Sequence, residues 1–263
     1  MRFTWYGANS WLIEVSGLRI LLDPWLVGPL EFGGLSWLFR ASRDRSPTIP
    51  EAIDLVLVSQ GLEDHSHPET LDTLEKSIPV VGSPKAAKVC RQLGFEQVTP
   101  LDFGETYRLH DRVEILAIEG ALTGIKPENG YVLKAVETGS KIYYEPHGFY
   151  PDSLQEQAPV DVVIGPVSDI AIPLAGAIVR GNTSAIELTK MLQPRYFLRS
   201  TAGDDGVVYG GLLSSVLKAR GSVEALQAAI DNLRLNTQVL SPSVNEPLQL
   251  SMETPTAAST DVT

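Results

Sequence analysis

Cysteine and histidine are scarce in this sequence, and their scarcity limits the kinds of site that it can build. The 263 residues include one cysteine, Cys90, and four histidines: His65, His67, His110 and His147. A single thiol excludes an intrachain disulfide and any zinc or iron–sulfur site built from several cysteines. Four imidazoles exclude any site that needs five or more. A metal site in this chain must therefore be small.

Long apolar runs and an excess of basic side chains are also missing. No segment reaches the roughly 18 consecutive apolar residues of a membrane-spanning helix, and the N-terminal residues lack the apolar core of a signal peptide. Lys and Arg number 21 against 32 Asp and Glu, which gives a net charge of −11. Such an acidic chain is a poor candidate for non-specific binding of nucleic acid or anionic lipid. We expect a cytoplasmic protein that binds a small-molecule substrate or ligand, with no nucleic acid and no membrane as partner.

Three glycine-centred motifs do not occur in the sequence. G-x-G-x-x-G marks dinucleotide binding, G-x-x-x-x-G-K-[ST] marks phosphate loops, and G-x-S-x-G marks the nucleophile of α/β-hydrolases. Their absence excludes these three classes of protein in their usual forms.

Short β-type runs open each half of the chain, and helical patterns follow them. Arg2–Tyr6, Trp11–Val15 and Arg19–Leu22 are separated by turns, which is typical of an antiparallel meander. Ile53–Val58 and Val160–Ile164 are continuous apolar runs of the buried type. Two β-rich blocks with helices outside them predict an α+β fold, an αββα sandwich, rather than a doubly wound sheet.

One domain is predicted over residues 1–240, followed by a C-terminal tail, 241–263. The composition after Leu250 is typical of disorder, so we expect this tail to be at least partly disordered. Residues 26–50 are predicted to form a long surface excursion. Its aromatics, together with the preceding Trp25, would either wall a substrate pocket or pack onto the sandwich (Trp25, Phe32, Trp37 and Phe39). Its arginines (Arg40, Arg43 and Arg45) would either meet an anionic substrate or be solvated.

The densest group of potential metal ligands is Ser-Gln-Gly-Leu-Glu-Asp-His-Ser-His at residues 59–67, directly after the buried strand. Histidine and carboxylate at the carboxyl end of a buried strand, just before a helix, are well placed to bind a metal. The same residues could equally form a helix cap and a solvated turn. The local pattern alone favours neither interpretation.

The wider sequence resembles the metallo-β-lactamase-fold superfamily. Residues 4–14 (Thr-Trp-Tyr-Gly-Ala-Asn-Ser-Trp-Leu-Ile-Glu) and 19–25 (Arg-Ile-Leu-Leu-Asp-Pro-Trp) are similar to its N-terminal meander. The chain looks closest to the branch that contains the ascorbate-phosphate lactonases, in which a strand like Asp54–Val58 leads into the metal motif H-x-H-x-D-H. The resemblance covers roughly residues 1–240, and it implies an αββα fold and a metal-dependent hydrolase.

The metal motif departs from the superfamily pattern. On the H-x-H-x-D-H register, Gln60 and Leu62 take the first two histidine positions, whereas Asp64 and His65 keep the last two. The histidine expected just after Gly7 is replaced by Ala8. Since leucine cannot bind a metal, the first of the two metal positions in the resembling family is lost.

Later ligand positions depart as well. No histidine lies near residues 119–121 or near Ser200-Thr201, where the resemblance would place further ligands. His147 falls at about the position of the bridging aspartate. The metal motif is therefore degenerate, and its remaining candidate ligands lie only near the second metal position.

The remaining candidate ligands are Asp64, His65 and His147, with Gln60, Glu63 and His67 as neighbours. Three nitrogen or oxygen ligands plus an open position make the composition of a catalytic zinc site, and manganese or iron(II) would also fit. We predict one divalent transition-metal ion, zinc first, with Asp64 also as the catalytic residue. The three side chains should meet between the two sheets, with His147 facing solvent and His67 turned toward the helix that begins at Pro68.

Two functions are compatible with this pattern. The first is a metal-dependent hydrolase with a reduced, mononuclear site that acts on a small ester, lactone or phosphoester. The alternative is a catalytically inactive relative that binds a ligand or partner, in which Asp64 forms a turn and His147 fills a buried polar gap. Loss of ligands favours inactivity, whereas a histidine at the bridging position favours a remodelled site.

Three further groups of residues have simpler interpretations. Asp204-Asp205 could supply a replacement carboxylate or form a solvated turn. His110-Asp111 is predicted to be a turn between two strands, and Cys90 a small core residue within a helix.

Overall fold

The fold contains twenty strands and five α-helices within the residues that the computed structural model describes, which are 1–43, 46–123, 126–172, 176–201 and 206–252. The strands are β1 (Arg2–Trp5), β2 (Trp11–Val15), β3 (Leu18–Leu22), β4 (Leu30–Glu31), β5 (Arg40–Arg43), β6 (Leu55–Val58), β7 (Val80–Gly82), β8 (Val98–Pro100), β9 (Thr106–Leu109), β10 (Val113–Thr123), β11 (Lys126–Ala135), β12 (Lys141–Tyr144), β13 (Val162–Pro166), β14 (Asp169–Ile172), β15 (Gly176–Val179), β16 (Tyr196–Ser200), β17 (Val207–Gly210), β18 (Lys218–Arg220), β19 (Gln238–Leu240) and β20 (Pro247–Gln249). The helices are α1 (Pro68–Thr73), α2 (Pro84–Gln92), α3 (Asn182–Leu192), α4 (Leu212–Val216) and α5 (Val223–Asn232).

Two seven-stranded mixed sheets form the body of the fold. Their strand orders are β20-β1-β2-β3-β6-β7-β8 and β19-β16-β13-β12-β11-β10-β9. In the first sheet β3, β6, β7 and β8 run parallel, and in the second β12, β13, β16 and β19 run parallel. Parallel neighbours end at the same edge of their sheet, so the loops that follow β3, β6 and β12 can assemble a site there.

The apolar core lies between the two sheets, and helices cover their outer faces. Trp11 of β2 and Tyr131 of β11 belong to one fully buried cluster that joins the sheets. Leu188 of α3 packs with the second sheet in another cluster. Leu71 of α1 and Cys90 of α2 pack with the first sheet in a third. The layers are helix, sheet, sheet and helix, which confirms the predicted αββα sandwich.

Helix starts follow the local sequence closely. The side chains of His67, Ser83 and Ser222 each accept a hydrogen bond from the backbone N–H three residues further on, which caps α1, α2 and α5. Proline in the first turn of α1 and α2 suits this position because the missing N–H has no partner there. Among the described helices, the longest of which has 11 residues, none combines the length and apolarity needed to span a membrane.

His110 and Asp111 form the turn between β9 and β10, as predicted. Both residues have positive φ, 47° and 52°, which is the geometry of the tight turns that join antiparallel strands. His110 therefore has a backbone role.

Residues 26–50 are more ordered than the long surface excursion that the sequence predicts. β4 pairs with β5, and β5 pairs with β17 in a separate three-stranded sheet. Beneath this sheet Trp25 and Phe39 are buried, and the rings of Phe32 and Phe39 lie 5.1 Å apart. Packing therefore explains these three aromatics, whereas Trp37 stays 65% exposed.

The chain returns to the first sheet after residue 240. β20 pairs antiparallel with β1, and Leu250 is buried in the core. Met1 and Leu250 also exchange two backbone hydrogen bonds. Part of the segment predicted as a tail thus belongs to the sheet, and residues 253–263 lie outside the described residues.

Candidate metal centre

The candidate site lies where strands of the two sheets end. Asp64 and His65 lie in the irregular loop after β6 of the first sheet, and His147 lies in the turn after β12 of the second. Each of the three side chains offers a ligand atom, and these atoms lie within 4.8 Å of one another. The rings of His65 and His147 are 5.1 Å apart. The structure brings the three residues together across the sheets, as predicted, while metal binding by them stays a prediction.

Gly61 allows the loop after β6 to approach helix α2. A Cβ atom at this position would lie 2.9 Å from the Cβ of Lys85 and 3.1 Å from its backbone carbon. A larger residue would push the loop away from α2, and Asp64 and His65 would move with it.

Three buried polar atoms of the site have no hydrogen-bond partner among the described residues: Nε2 of His65, Oδ1 of Asp64 and Oε1 of Gln60. His65 Nε2 lies 3.2 Å from the other Asp64 oxygen, without the alignment of a hydrogen bond. An unsatisfied buried polar group costs about 1–3 kcal/mol. A divalent cation would satisfy the imidazole and carboxylate atoms, and this donor set suits zinc, manganese or iron(II).

Asp23 fixes the orientation of His65. His65 Nδ1–H donates to Asp23 Oδ2 at 2.7 Å, and the Tyr144 hydroxyl donates to the same oxygen at 2.6 Å. Ser59 N–H donates to the other oxygen at 2.6 Å. Since a carboxylate oxygen accepts here, a ring proton of His65 is held on Nδ1 and Nε2 points into the site. Asp23 belongs to the Asp-Pro-Trp segment of the family resemblance, but the sequence does not predict this contact.

Burial and mutual contact set the charges of the three candidate ligands. Burial opposes the charged form of His65, but the carboxylates of Asp64 and Asp23 raise its pKa to about 10. Burial and the nearby charge of His65 lower the pKa of His147 to about 3. Burial disfavours the ionised form of Asp64, but the adjacent His65 and His147 hold its pKa below its usual value. At neutral pH the site thus contains an ionised carboxylate, a charged imidazole and a neutral imidazole.

The expectation that His147 faces solvent is wrong. Its side chain is only 16% exposed, and Gln60 Nε2 lies 2.9 Å from its Nδ1. The reason is the turn after β12, in which the Glu145 carboxylate accepts the backbone N–H of His147 at 3.0 Å and draws it inward.

Glu145 is a residue of the site that the sequence does not predict. Its buried carboxylate also accepts the backbone N–H groups of Phe149 at 2.8 Å and Ala121 at 3.2 Å. Its stem lies against Gly130, where a Cβ atom would come within 3.1 Å of its Cγ. Burial raises the pKa of Glu145 to about 7, against the opposing effect of these hydrogen bonds. Glu145 therefore shapes the turn that carries His147.

His67 points away from the site, as predicted. Its Nδ1 accepts the backbone N–H of Thr70 at 3.2 Å, and its Nε2–H donates to the carbonyl of Pro29 at 3.1 Å. Glu63 accepts the backbone N–H of Gly33 at 3.0 Å. Both residues join the site loop to residues 26–33 instead of contributing ligand atoms.

Positions that carry further histidines in the resembling family are joined here by hydrogen bonds. Thr201 N–H donates to the carbonyl of Ala8 at 3.0 Å. The Thr201 hydroxyl lies 2.9 Å from the carbonyl of Pro146 and 3.1 Å from the Asn9 side-chain oxygen. Within the described part of the chain, Asp64, His65 and His147 are the one group of three or more His, Cys, Asp or Glu residues that could hold a metal.

The arginines of the 26–50 segment have structural partners. Arg40 pairs with Glu31 at 2.8 Å. The Arg43 guanidinium lies 3.9 Å above the Trp25 ring and donates to the carbonyl of Trp25. Arg45, and the Asp204-Asp205 pair considered as a replacement carboxylate source, lie outside the described residues.

Comparison with known proteins identifies the family. The family model of the beta-lactamase superfamily domain matches residues 2–199. A metal-dependent hydrolase from Pyrobaculum neutrophilum is 25% identical over 205 residues, which cover 74% of this chain and 81% of that protein.

Solved structures show the same fold. The metallo hydrolase Igni18 from Ignicoccus hospitalis has a TM-score of 0.67 at 16% identity and covers 96% of this chain and 99% of its own. An isothiocyanate hydrolase from Delia radicum gut bacteria has a TM-score of 0.68 at 16% identity and covers 95% of this chain and 99% of its own. With the family model matching most of its length, the chain belongs to the beta-lactamase superfamily.

Proposed function

We propose that this protein is a metal-dependent hydrolase that holds a single divalent transition-metal ion through Asp64, His65 and His147. Its substrate would be a small ester, lactone or phosphoester, in which water attacks a carbonyl or phosphoryl centre. Zinc is the first choice of metal, and manganese or iron(II) are compatible because imidazole and carboxylate discriminate weakly among these ions.

One observation carries this proposal: among the described residues, Oδ1 of Asp64 and Nε2 of His65 are buried without a hydrogen-bond partner, and both lie beside His147. If Asp64 served only to form a turn and His147 only to fill a buried polar gap, we would expect protein hydrogen bonds to these atoms. The orientation of His65 by Asp23 adds support, because histidines that bind metals usually donate their other ring N–H to a carboxylate. The hydrolases among the relatives are also consistent with it.

The proposal of one ion rests on what has replaced the other ligand positions. Leu62 has no donor atom, and Ala8 contributes its backbone carbonyl to Thr201. The Thr201 hydroxyl is held between Asn9 and Pro146. These hydrogen bonds engage the polar groups that lie near the lost ligand positions.

Each side chain has a separate task in this mechanism. A metal ion bound here would supply Lewis acidity and lower the pKa of its bound water to about 7. Asp64 remains ionised and its side chain is 23% exposed, so it can contact substrate and accept a proton from the attacking water. Asp23 keeps the proton of His65 on Nδ1, and Glu145 holds the turn that presents His147.

Metal content and hydrolysis test this proposal directly. We expect about one ion per chain, as in mononuclear catalytic sites, when the protein is purified without chelator and analysed for elements. Asp64→Asn and His147→Ala should each lose the ion, whereas His110→Asn should keep it because His110 lies in a distant exposed turn and asparagine tolerates its positive φ. Hydrolysis of ester, lactone and phosphoester panels should require the ion.

Two outcomes would overturn the proposal in different ways. A wild-type chain that takes up no transition metal after reconstitution would exclude metal-dependent chemistry. A chain that binds the ion but hydrolyses none of the three substrate classes would be the catalytically inactive relative, with the same cleft used for ligand binding.

A further inference from the structure

Gln60 occupies a position that carries a histidine in the resembling motif, and its side chain lies inside the site. It is fully buried, with its Nε2 atom 2.9 Å from Nδ1 of His147. The other end of its carboxamide, Oε1, is buried without a hydrogen-bond partner among the described residues. A buried amide that satisfies only one end is costly, so this arrangement calls for a functional explanation.

The contact between Gln60 and His147 can exist in two forms, which differ in whether the nitrogen or the oxygen of the carboxamide faces the ring. When the amide nitrogen faces the ring, it can only donate, so Nδ1 must accept and the ring proton lies on Nε2. His147 then has no free lone pair with which to bind a metal. A half-turn of the carboxamide exchanges oxygen and nitrogen at nearly the same positions. The oxygen then accepts from Nδ1–H, and Nε2 keeps its lone pair.

We infer that Gln60 is a positioning residue that selects the metal-binding tautomer of His147. With a metal bound, the Gln60 carbonyl accepts the Nδ1–H of His147, just as Asp23 accepts the Nδ1–H of His65. Both imidazoles are then held through Nδ1 and present Nε2 to the same ion. The inference rests on the proposed function and adds the residue that prepares the third ligand.

The neutral amide suits its surroundings. Asp23 and Glu145 already place two buried carboxylates near the histidines, with Glu145 Oε1 3.9 Å from Nδ1 of His147. A third buried carboxylate would add a desolvation cost, whereas an amide supplies the acceptor without charge. Glutamine thus retains the polar role of this position without binding the metal itself.

The tautomer of His147 can be read directly in the wild-type protein. Nitrogen-15 NMR of the labelled, zinc-loaded chain, with the His147 ring signals assigned through the backbone of residue 147, should show His147 protonated on Nδ1 and bound through Nε2. A proton on Nε2 of zinc-loaded His147 would overturn the inference. This measurement needs no variant of Gln60 and does not depend on catalysis.

Metal affinity of Gln60 variants provides the second test, by competition with a chromophoric chelator for zinc. Gln60→Met keeps the side-chain length without a strong acceptor, and we expect roughly 10–100-fold weaker binding. Gln60→Glu restores an acceptor for the Nδ1–H of His147, so it should bind zinc more tightly than Gln60→Met does. Gln92→Met, at the exposed end of α2, is the matched control and should bind as wild type.

The outcomes separate this inference from the proposed function. Wild-type zinc affinity in Gln60→Met would overturn the inference alone, because the ion would still bind without the amide. Failure of wild-type protein to bind any metal would overturn both together. Circular dichroism of each variant identifies loss of folding, and if Gln60→Met does not fold, the NMR tautomer decides.

Discussion

His65 differs from an ordinary histidine because it lies between two carboxylates. Asp23 is 2.7 Å from its Nδ1 and Asp64 is 3.2 Å from its Nε2. Its pKa is raised from 6.5 to about 10, so the imidazole stays protonated at neutral pH. A metal ion must therefore displace the proton on Nε2 before it can bind there.

This charge predicts a proton-linked affinity. At about pH 8, between the ordinary and the raised pKa of His65, binding of each ion should release about two protons, one from His65 and one from the metal-bound water. Affinity should rise with pH, and it should rise less steeply above pH 10, where His65 is already neutral. Calorimetric titration in buffers of different ionisation enthalpy measures the release. Release of only about one proton at pH 8, which the metal-bound water alone would supply, would contradict the assigned charge of His65.

Asp23 is expected to matter for both metal binding and stability. Its carboxylate accepts from Ser59, His65 and Tyr144. Asp23→Asn preserves size and tolerates the positive φ of 41°, but it turns an amide N–H₂ toward these donors. Metal affinity should fall roughly 10–100-fold, and the free energy of unfolding should fall by about 1–3 kcal/mol.

Asp111→Asn is the matched control for Asp23→Asn. Asp111 has a φ of 52° and lies exposed in the turn between β9 and β10. Chelator competition and urea unfolding should therefore show little change for it. Equal effects of the two substitutions would mean that the hydrogen bonds of Asp23 do not contribute to metal affinity or to the free energy of unfolding.

Sequence patterns located the candidate ligands but not the residues that support them. Asp64 and His65 lie in a motif, and His147 lies at a family position, so each could be predicted from neighbouring residues. Asp23 and Glu145 act through contacts with segments that are distant in sequence, such as Ser59 and Ala121. A single sequence does not state which side chains will meet across two sheets.

At the scale of elements, the turn after β12 has little room for change. Gly148 has a φ of 76°, and an added Cβ would lie 2.0 Å from the carbonyl oxygen of Arg180. The backbone N–H of Arg180 in turn donates to the carbonyl of His147 at 2.7 Å. Any shift that relieves a clash at Gly148 is therefore transmitted to a candidate ligand.

Two glycine substitutions separate this clash from simple backbone strain. Gly139 has a similar φ of 72°, but no atom of the described residues lies within 4 Å of an added Cβ. Gly139→Ala should cost about 1–2 kcal/mol of unfolding free energy and leave metal affinity unchanged. Gly148→Ala should cost more and also weaken metal binding. Urea unfolding and chelator competition measure both, and equal results at the two positions would exclude a role for the Arg180 contact.

Most regular elements were predictable from the sequence because their patterns are local. β1, β2, β3, β6 and β13 lie within a few residues of the predicted ranges. β4 and β5 were not predicted, since β5 pairs with β17, which follows far along the chain. Their stability comes from a distant partner and from burial of Trp25 and Phe39 rather than from local pattern.

At the scale of the whole molecule, the last described strand completes the first sheet. β20 covers the edge at β1, and Leu250 packs into the core between the sheets. A chain that ends at residue 246 should be less stable than one that ends at 252, by at least about 2 kcal/mol for the loss of a buried leucine. Urea unfolding of the two shortened chains measures the difference, and equal stabilities would mean that β20 contributes nothing.

The two histidines of the site come from different sheets and lie about 80 residues apart in the sequence. Closing a loop of this length costs a disordered chain conformational entropy. An ion shared between them would act as a cross-link between the halves of the sandwich. A chain with one cysteine has no disulfide with which to do this. Since an ion that binds only the folded state shifts unfolding by mass action, the lifetime of this protein would follow the supply of metal around it.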